Sequence, residues 1–236
     1  QTASLLTYYI LTRWKELGKL DGKQYVVKTI VTTNMADAIA EAYGVRLIEC
    51  LTGFKYIGQQ ILGFEKSGHG TYLFGFEESY GYLSGSHVRD KDAVNATLLV
   101  CEAAAWYAQQ GMTMLEAIEA LYQKHGYYQN GLSSFTFEGQ SGMAKMQQLM
   151  ANLRSAGPKE IAGKRVISVV DYQSPVTGLP AADVLSFLLE GNAKLMVRPS
   201  GTEPKIKAYL SARGNTRQEA LDLVIALKDA AAELLK

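Results

Sequence analysis

Between residues 198 and 207 the chain reads Arg198-Pro199-Ser200-Gly201-Thr202-Glu203-Pro204-Lys205-Ile206-Lys207. A guanidinium, two hydroxyls, a loosened backbone and two ammonium groups lie within ten residues. That inventory suits a phosphate dianion. Arg198 can fork onto two phosphate oxygens, and Ser200 and Thr202 can donate hydroxyl hydrogen bonds. Gly201 lets backbone N–H groups close around an anion. Without the arginine before it and the Lys-x-Lys after it, the Ser-Gly-Thr step would read as an ordinary turn between strands. A second chemically loaded stretch is Gly75-Phe76-Glu77-Glu78-Ser79-Tyr80-Gly81-Tyr82, followed by His87-Val88-Arg89-Asp90-Lys91-Asp92. A carboxylate such as Glu77 can accept hydrogen bonds from two adjacent hydroxyls, and Ser79 can give or take one more. Tyr80 and Tyr82 read as packing residues. The charge-alternating run also reads as a salt-bridged helix start.

The two stretches together, in this order and about a hundred residues apart, resemble the α-D-phosphohexomutase family, and within it the bacterial phosphoglucomutases. G-F-E-E-S-x-G-Y is similar to that family's sugar-recognition loop, and R-P-S-G-T-E-P-K to its phosphate-binding loop. The resemblance implies that Glu77 and Ser79 bind the sugar's 3- and 4-hydroxyls. It also implies that Arg198, Ser200, Gly201 and Thr202 bind the phosphate that is not reacting, with Lys207 where many members carry arginine. Lys91 falls where the family has a lysine near the reacting phosphate, with Arg89 beside it. Lys55, in Thr52-Gly53-Phe54-Lys55-Tyr56, falls on the loop that faces the family's cleft.

Members of the family have four domains, the first two carrying a phosphorylated serine and an aspartate-rich magnesium loop. Ser67-Gly68-His69 echoes the serine loop without the Asn-Pro that should follow, and no D-x-D-x-D occurs. The chain starts at Gln1. It is therefore expected to be the C-terminal half, the third and fourth domains, with no metal ligands of its own and no activity alone. The intact enzyme would interconvert glucose 1-phosphate and glucose 6-phosphate. Mg²⁺ would be held elsewhere, and glucose 1,6-bisphosphate would be the intermediate. Phosphomannomutase or phosphopentomutase activity stays open, as does a stand-alone phosphosugar-binding module. The expected partners are a phosphosugar and the missing N-terminal domains.

Composition is consistent with this. The 236 residues allow two domains of roughly 100–150 residues, and 47% hydrophobic content supplies real cores. A net charge of +1 gives no global field for nucleic acid or an anionic membrane. Two cysteines and three histidines, scattered, offer no zinc spacing. Cys50 and Cys101 read as buried free thiols. With no apolar run of about 18 residues, a cytoplasmic location is expected.

The elements that must position these residues follow from periodicity. Leu6, Tyr9, Ile10, Trp14 and Leu17 recur at helical spacing, and both tryptophans are expected in the core. Strands are expected over 25–31, 45–50 and 71–76, alternating with helices. Asn34 should cap the helix that ends at Gly44. That alternation predicts a mostly parallel sheet covered by helices, with ligands beyond the strands' C-terminal ends. A further helix is expected over 93–110, and Thr113-Met114-Leu115-Glu116 is a capping box opening another. From about Ser133 the pattern becomes strand-rich. Strands are expected near Phe135, over 165–172 and over 206–212, with a hairpin through Gly191-Asn192. A second capping box, Thr216 to Glu219, opens a last helix with Leu221, Val224, Leu227, Ala231 and Leu234 inward. The expected architecture is an α/β domain over 1–130 and a smaller α+β domain over 131–236.

Overall fold

In the computed structural model, residues 1–139, 141–201 and 203–236 are described. They form two compact units, Gln1–His125 and Gly126–Lys236. A division at 130 would cut through the first strand of the second unit, which starts at Tyr127.

The first unit runs α1 (Thr2–Glu16), β1 (Gln24–Thr29), α2 (Met35–Ala42), β2 (Arg46–Cys50), α3 (Phe54–Ser67), β3 (Thr71–Glu77), β4 (Gly81–Ser84), α4 (Ala93–Gln109) and α5 (Met114–His125). Its sheet has the order β2-β1-β3-β4. The first three strands are parallel, and β4 returns antiparallel to β3. Every residue of β1 is buried, as a central parallel strand between helical layers requires. Tyr25 and Val27 pack with Phe54, Ile57 and Ile61 of α3 and with Tyr72 and Leu83. Alternation sends Lys28 to the other face, fully buried. There its ammonium meets the Thr33 carbonyl at 3.3 Å, Asn34 Oδ1 at 3.1 Å and Glu49 at 3.3 Å, together with Asp37. Asn34 therefore does not cap α2 with its side chain, because the buried ammonium takes that oxygen. The Thr113 box forms as expected: Glu116 N donates to Thr113 Oγ1 at 3.2 Å and Thr113 N to Glu116 Oε2 at 2.8 Å.

The second unit runs β5 (Tyr127–Thr136), α6 (Gly142–Ser155), β6 (Glu160–Ile161), β7 (Lys164–Asp171), β8 (Leu185–Leu189), β9 (Lys194–Pro199), β10 (Lys205–Gly214) and α7 (Arg217–Leu234). Its sheet has the order β5-β10-β9-β8-β7-β6, and each neighbouring pair is antiparallel. Met146 and Met150 of α6 and Leu227 and Ala231 of α7 share one core with Phe187, Leu195, Val197, Ile206 and Ala208. The inward face of α7 uses Ala220, Leu223 and Val224 rather than Leu221. The α/β and α+β architectures match expectation.

Three packing expectations are corrected. Cys101 lies on an exposed face of α4, while Cys50 is buried; both thiols are free. Trp14 and Trp106 are half-buried, Trp106 lying edge-on to Tyr9 and Tyr107. Tyr80 is 88% exposed, whereas Tyr82 stacks parallel to Phe74.

Candidate functional site

The parallel strands deliver their C-terminal ends to one edge of the first unit. Glu77 is the last residue of β3 and lies across from Gly81 in a tight hairpin. Tyr80 closes the turn at φ +58°. The motif read as a loop is thus a strand end, a turn and a second strand. A Cβ on Gly81 would fall 2.7 Å from Glu77 Cγ and 3.0 Å from the Phe54 ring. Only glycine lets the Glu77 side chain fold beneath the hairpin, where it is 5% exposed.

A buried carboxylate needs a partner, and Lys91 provides one: Nζ donates to Glu77 Oε1 at 2.6 Å. That hydrogen bond is the main cause holding the Lys91 ammonium's pKa above its usual range, with the attraction of Glu77, Asp90 and Glu78 adding to it. Glu78 faces differently. Its Oε2 accepts from Thr29 Oγ1 at 3.3 Å and its Oε1 from Ser79 Oγ at 3.2 Å. Thr29 and Thr32 share a hydroxyl hydrogen bond of 2.6 Å at the end of β1. Ser79 is otherwise exposed.

The run after β4 is anchored by its charges. Asp92 N donates to the Tyr82 carbonyl at 2.9 Å, and the Asp92 carboxylate caps α4 through Asn95 N at 2.9 Å. That backbone hydrogen bond, followed by His87 at 2.9 Å, holds the Asp92 carboxyl below the usual carboxylate range. The Arg89 guanidinium pairs with Glu65 of α3 and donates to the carbonyls of Ser86 and Val88. Lys55 sits in the first turn of α3, not on a loop; it is exposed, with its ammonium 4.9 Å from the Tyr56 ring centre. Just ahead of it, Gly53 begins the helix at φ +119°, and Thr52 Oγ1 is buried with no hydrogen-bond partner.

In the second unit the β9–β10 hairpin sets Arg198 directly opposite Lys207. Ser200 N donates to the Lys205 carbonyl at 2.7 Å, which continues the pairing past the strand ends. Glu203 N donates to Ser200 Oγ at 3.2 Å. Arg198, Pro199, Ser200, Gly201, Glu203, Lys205 and Lys207 line a hollow of about 390 Å³. Two-residue spacing puts Lys205 and Lys207 on the same face, so Lys205 joins the cluster. It also pairs with Glu203 at 3.3 Å. Gly201 has no positive φ, and a Cβ there would meet no atom within 4 Å. A left-handed glycine nest is therefore not what shapes this turn. Thr202 lies outside the described residues.

Sequence reasoning missed Lys28, the Thr29–Thr32 pair and Thr52. The signal for Lys28 was present: a lone lysine inside Tyr25-Val26-Val27-Lys28-Thr29 must be buried if the strand is central. Among the described residues no group of three His, Cys, Asp or Glu side chains could hold a metal ion. No helix among them is long and apolar enough to cross a membrane.

Comparisons with known proteins bear on the family of the chain. Residues 1–125 match the family described as phosphoglucomutase/phosphomannomutase, alpha/beta/alpha domain III. A phosphoglucomutase of Staphylococcus saprophyticus is 35% identical over 210 residues, which is 84% of this chain and 38% of the relative. The open form of parafusin, a phosphoglucomutase from Paramecium, superposes with TM-score 0.72 at 18% identity, over 99% of this chain and 40% of that one. The N-acetylphosphoglucosamine mutase of Aspergillus fumigatus, solved with GlcNAc-6P and magnesium, gives TM-score 0.51 at 15% identity, over 100% of this chain and 43% of that one; the same enzyme has been solved with glucose 1,6-bisphosphate. The chain thus spans about two fifths of the length of the relatives it matches. The domain III match over residues 1–125 takes in more than half of the chain, and the chain belongs to the phosphoglucomutase/phosphomannomutase family.

Proposed function

We propose that this chain supplies the sugar- and phosphate-recognition surfaces of a phosphoglucomutase that interconverts glucose 1-phosphate and glucose 6-phosphate through a bisphosphate intermediate. The observation that carries the reading is the cationic hollow formed by Arg198, Lys205 and Lys207 around Ser200. Arg198 forks onto the phosphate that is not reacting, Lys207 and Lys205 add charge across the hairpin, and Ser200, Gly201 and Thr202 complete the loop. In the first unit, Glu77 and Ser79 take the ring's 3- and 4-hydroxyls. Lys91 pairs with Glu77 and orients it, and carries positive charge to the reacting end. Lys55 offers a second ammonium from the first turn of α3. Arg89, tied to Glu65 and two carbonyls, acts by fixing the loop that carries Lys91. Remote contacts of this kind fix geometry for a transfer made by other groups.

Magnesium and glucose 1,6-bisphosphate enter by likeness to the Aspergillus enzyme. The residues here do not fit the ion: Glu77 is committed to Lys91 and Glu78 to Thr29 and Ser79. We therefore assign the metal to the part of the relatives outside this span, and the chain alone is inactive as a mutase.

The test is calorimetric titration of glucose 1-phosphate into this chain, with inorganic phosphate as control. The sugar phosphate should bind more tightly, and Arg198→Ala should weaken it by about tenfold or more with the fold preserved. Unchanged affinity in that variant refutes the reading. On the full-length protein, faster turnover of mannose 1-phosphate than of glucose 1-phosphate would reassign the substrate within the same chemistry.

A further inference from the structure

A surface helix normally sets an apolar face against its core and a polar face towards water. Helix α4, of 17 residues, has an apolar residue stripe on both sides. Ala96, Ala103 and Tyr107 are buried within the first unit. On the opposite side Val94, Leu98, Cys101, Ala105 and Ala108 follow at spacings of four, three, four and three. Each of the five is exposed, Val94 to 82% and Leu98 to 69%. That spacing averages about 3.5 residues, the period that keeps a seam turned towards one partner helix. A helix apolar all round belongs in an interior.

The polar side chains of α4 do not interrupt the seam. Asn95 Oδ1 accepts from Ser84 N at 3.0 Å. Thr97 Oγ1 turns back on its own helix and donates to the Ala93 carbonyl at 2.7 Å. Glu102, the helix's one charged side chain, hydrogen-bonds the Tyr9 hydroxyl of α1. Gln109, in the last turn, has no such tie among the described residues. Other apolar side chains are exposed in this chain, Ile167, Val169 and Val170 of β7 among them, but Arg165, Ser168 and Asp171 interleave and flank those.

Size decides what covers the seam. From Val94 to Ala108 it is about 20 Å long, whereas a free-standing dimer needs about 800 Å² and about 20–30 residues from each partner. Five side chains fall well short of that. They suffice where the two sides are tethered, because linkage supplies an effective concentration of about a millimolar. The chain spans 38% of the Staphylococcus saprophyticus relative, so about three fifths of that polypeptide lies outside it. On the reading that this chain is one part of a longer mutase, we infer that the seam of α4 seats that remainder. The occupant is an apolar helix whose large side chains lie over Cys101, Ala105 and Ala108. The seat has a consequence for the site. α4 starts two residues after Lys91, and Asp92 fixes the junction by capping the helix through Asn95 N at 2.9 Å and donating its own N–H to the Tyr82 carbonyl at 2.9 Å. A partner seated on α4 is thereby held at a set distance from the Lys91–Glu77 pair.

The experiment compares the alkylation rate of Cys101 by iodoacetamide, read by mass spectrometry of its peptide, in the 236-residue chain and in the full-length protein. Cys101 should react as an exposed thiol in the chain and at least about tenfold more slowly in the full-length protein, where reaction waits on local opening. Leu98→Asp should leave the urea midpoint of the 236-residue chain unchanged, since the side chain is exposed there. In the full-length protein the same substitution should restore fast alkylation. Equal rates in the two proteins, or protection that survives Leu98→Asp, overturn the inference. Slow alkylation of the 236-residue chain that tracks a concentration-dependent dimer in sedimentation also overturns it, and makes a second copy the occupant. None of these measurements involves Arg198 or a sugar phosphate, so failure here leaves the recognition reading to its own titration, and the reverse holds.

Discussion

Removing the Lys91 ammonium isolates one partner of the pair that anchors the β3–β4 hairpin. Glu77 is 5% exposed and Lys91 49% exposed, with 2.6 Å between nitrogen and oxygen. Breaking a fully buried pair costs about 3–5 kcal/mol, and breaking an exposed pair about 0–1 kcal/mol. Here the carboxylate is buried and the ammonium half-solvated, so Lys91→Ala should cost about 2 kcal/mol. Urea unfolding followed by tryptophan fluorescence is the assay, because Trp14 and Trp106, the only two tryptophans, both belong to the first unit. In a Glu77→Gln background the same lysine deletion should cost less than about 0.5 kcal/mol, since no buried charge is left stranded. The pH dependence has a definite sign. The Lys91 pKa is raised above its ordinary 10.5 in the folded state, chiefly by the Glu77 hydrogen bond. The contribution is therefore present in full below that value and is lost as pH rises through the folded pKa. The difference between wild type and Lys91→Ala should stay level from about pH 6 to 9 and shrink only above about pH 10.5. An undiminished cost in the Glu77→Gln background, or no cost at all, would refute the pairing argument.

The two thiols should separate cleanly. Cys50 is buried, donates weakly to the Lys28 carbonyl at 3.5 Å, and has its thiol pushed up to about 12 by burial. Cys101 is exposed, so a disulfide reagent at pH 8 should titrate one thiol in the native chain and a second only in urea; two fast thiols would contradict the packing of β2. Gly75→Ala should destabilise the first unit by about 1–3 kcal/mol, because the new methyl would fall 2.4 Å from Tyr72 Oη and 2.7 Å from Ile57 Cγ2. An unchanged urea midpoint would show that α3 can move away from β3.

Much of the scaffold is legible in the sequence because one physical rule governs each piece. Strand–helix alternation gives the parallel sheet, and each capping box gives a helix start. What escaped reading did so where two rules compete. Asn34 has the right type and position to cap α2, yet the ammonium of Lys28 inside the sheet is the more demanding donor. The early half of β5, with Gln129, Asn130 and Gly131, lacks an apolar run. It alternates between half-buried and exposed positions at the sheet edge, where ladder hydrogen bonds to β10 replace hydrophobic content as the signature. The strand β4 is four residues long and lay hidden inside a motif read for its chemistry.

The candidate site shows the same division more sharply. Residue types near Glu77 could be named from the chain, but their roles could not be divided by spacing. Glu77 and Glu78 are adjacent carboxylates, and alternation along a strand sends adjacent side chains to opposite faces. One goes beneath the hairpin to Lys91, and the other outward to Thr29 and Ser79. What fixes Glu77 as the inward one is Gly81, since any larger residue across the hairpin would fill the space its side chain occupies. The glycine therefore selects which carboxylate folds beneath the hairpin. Ser79, on the turn itself, stays exposed. The hairpin thus sets a fixed, buried carboxylate beside an exposed hydroxyl, and it is on this pairing that the proposed role of Glu77 and Ser79 rests.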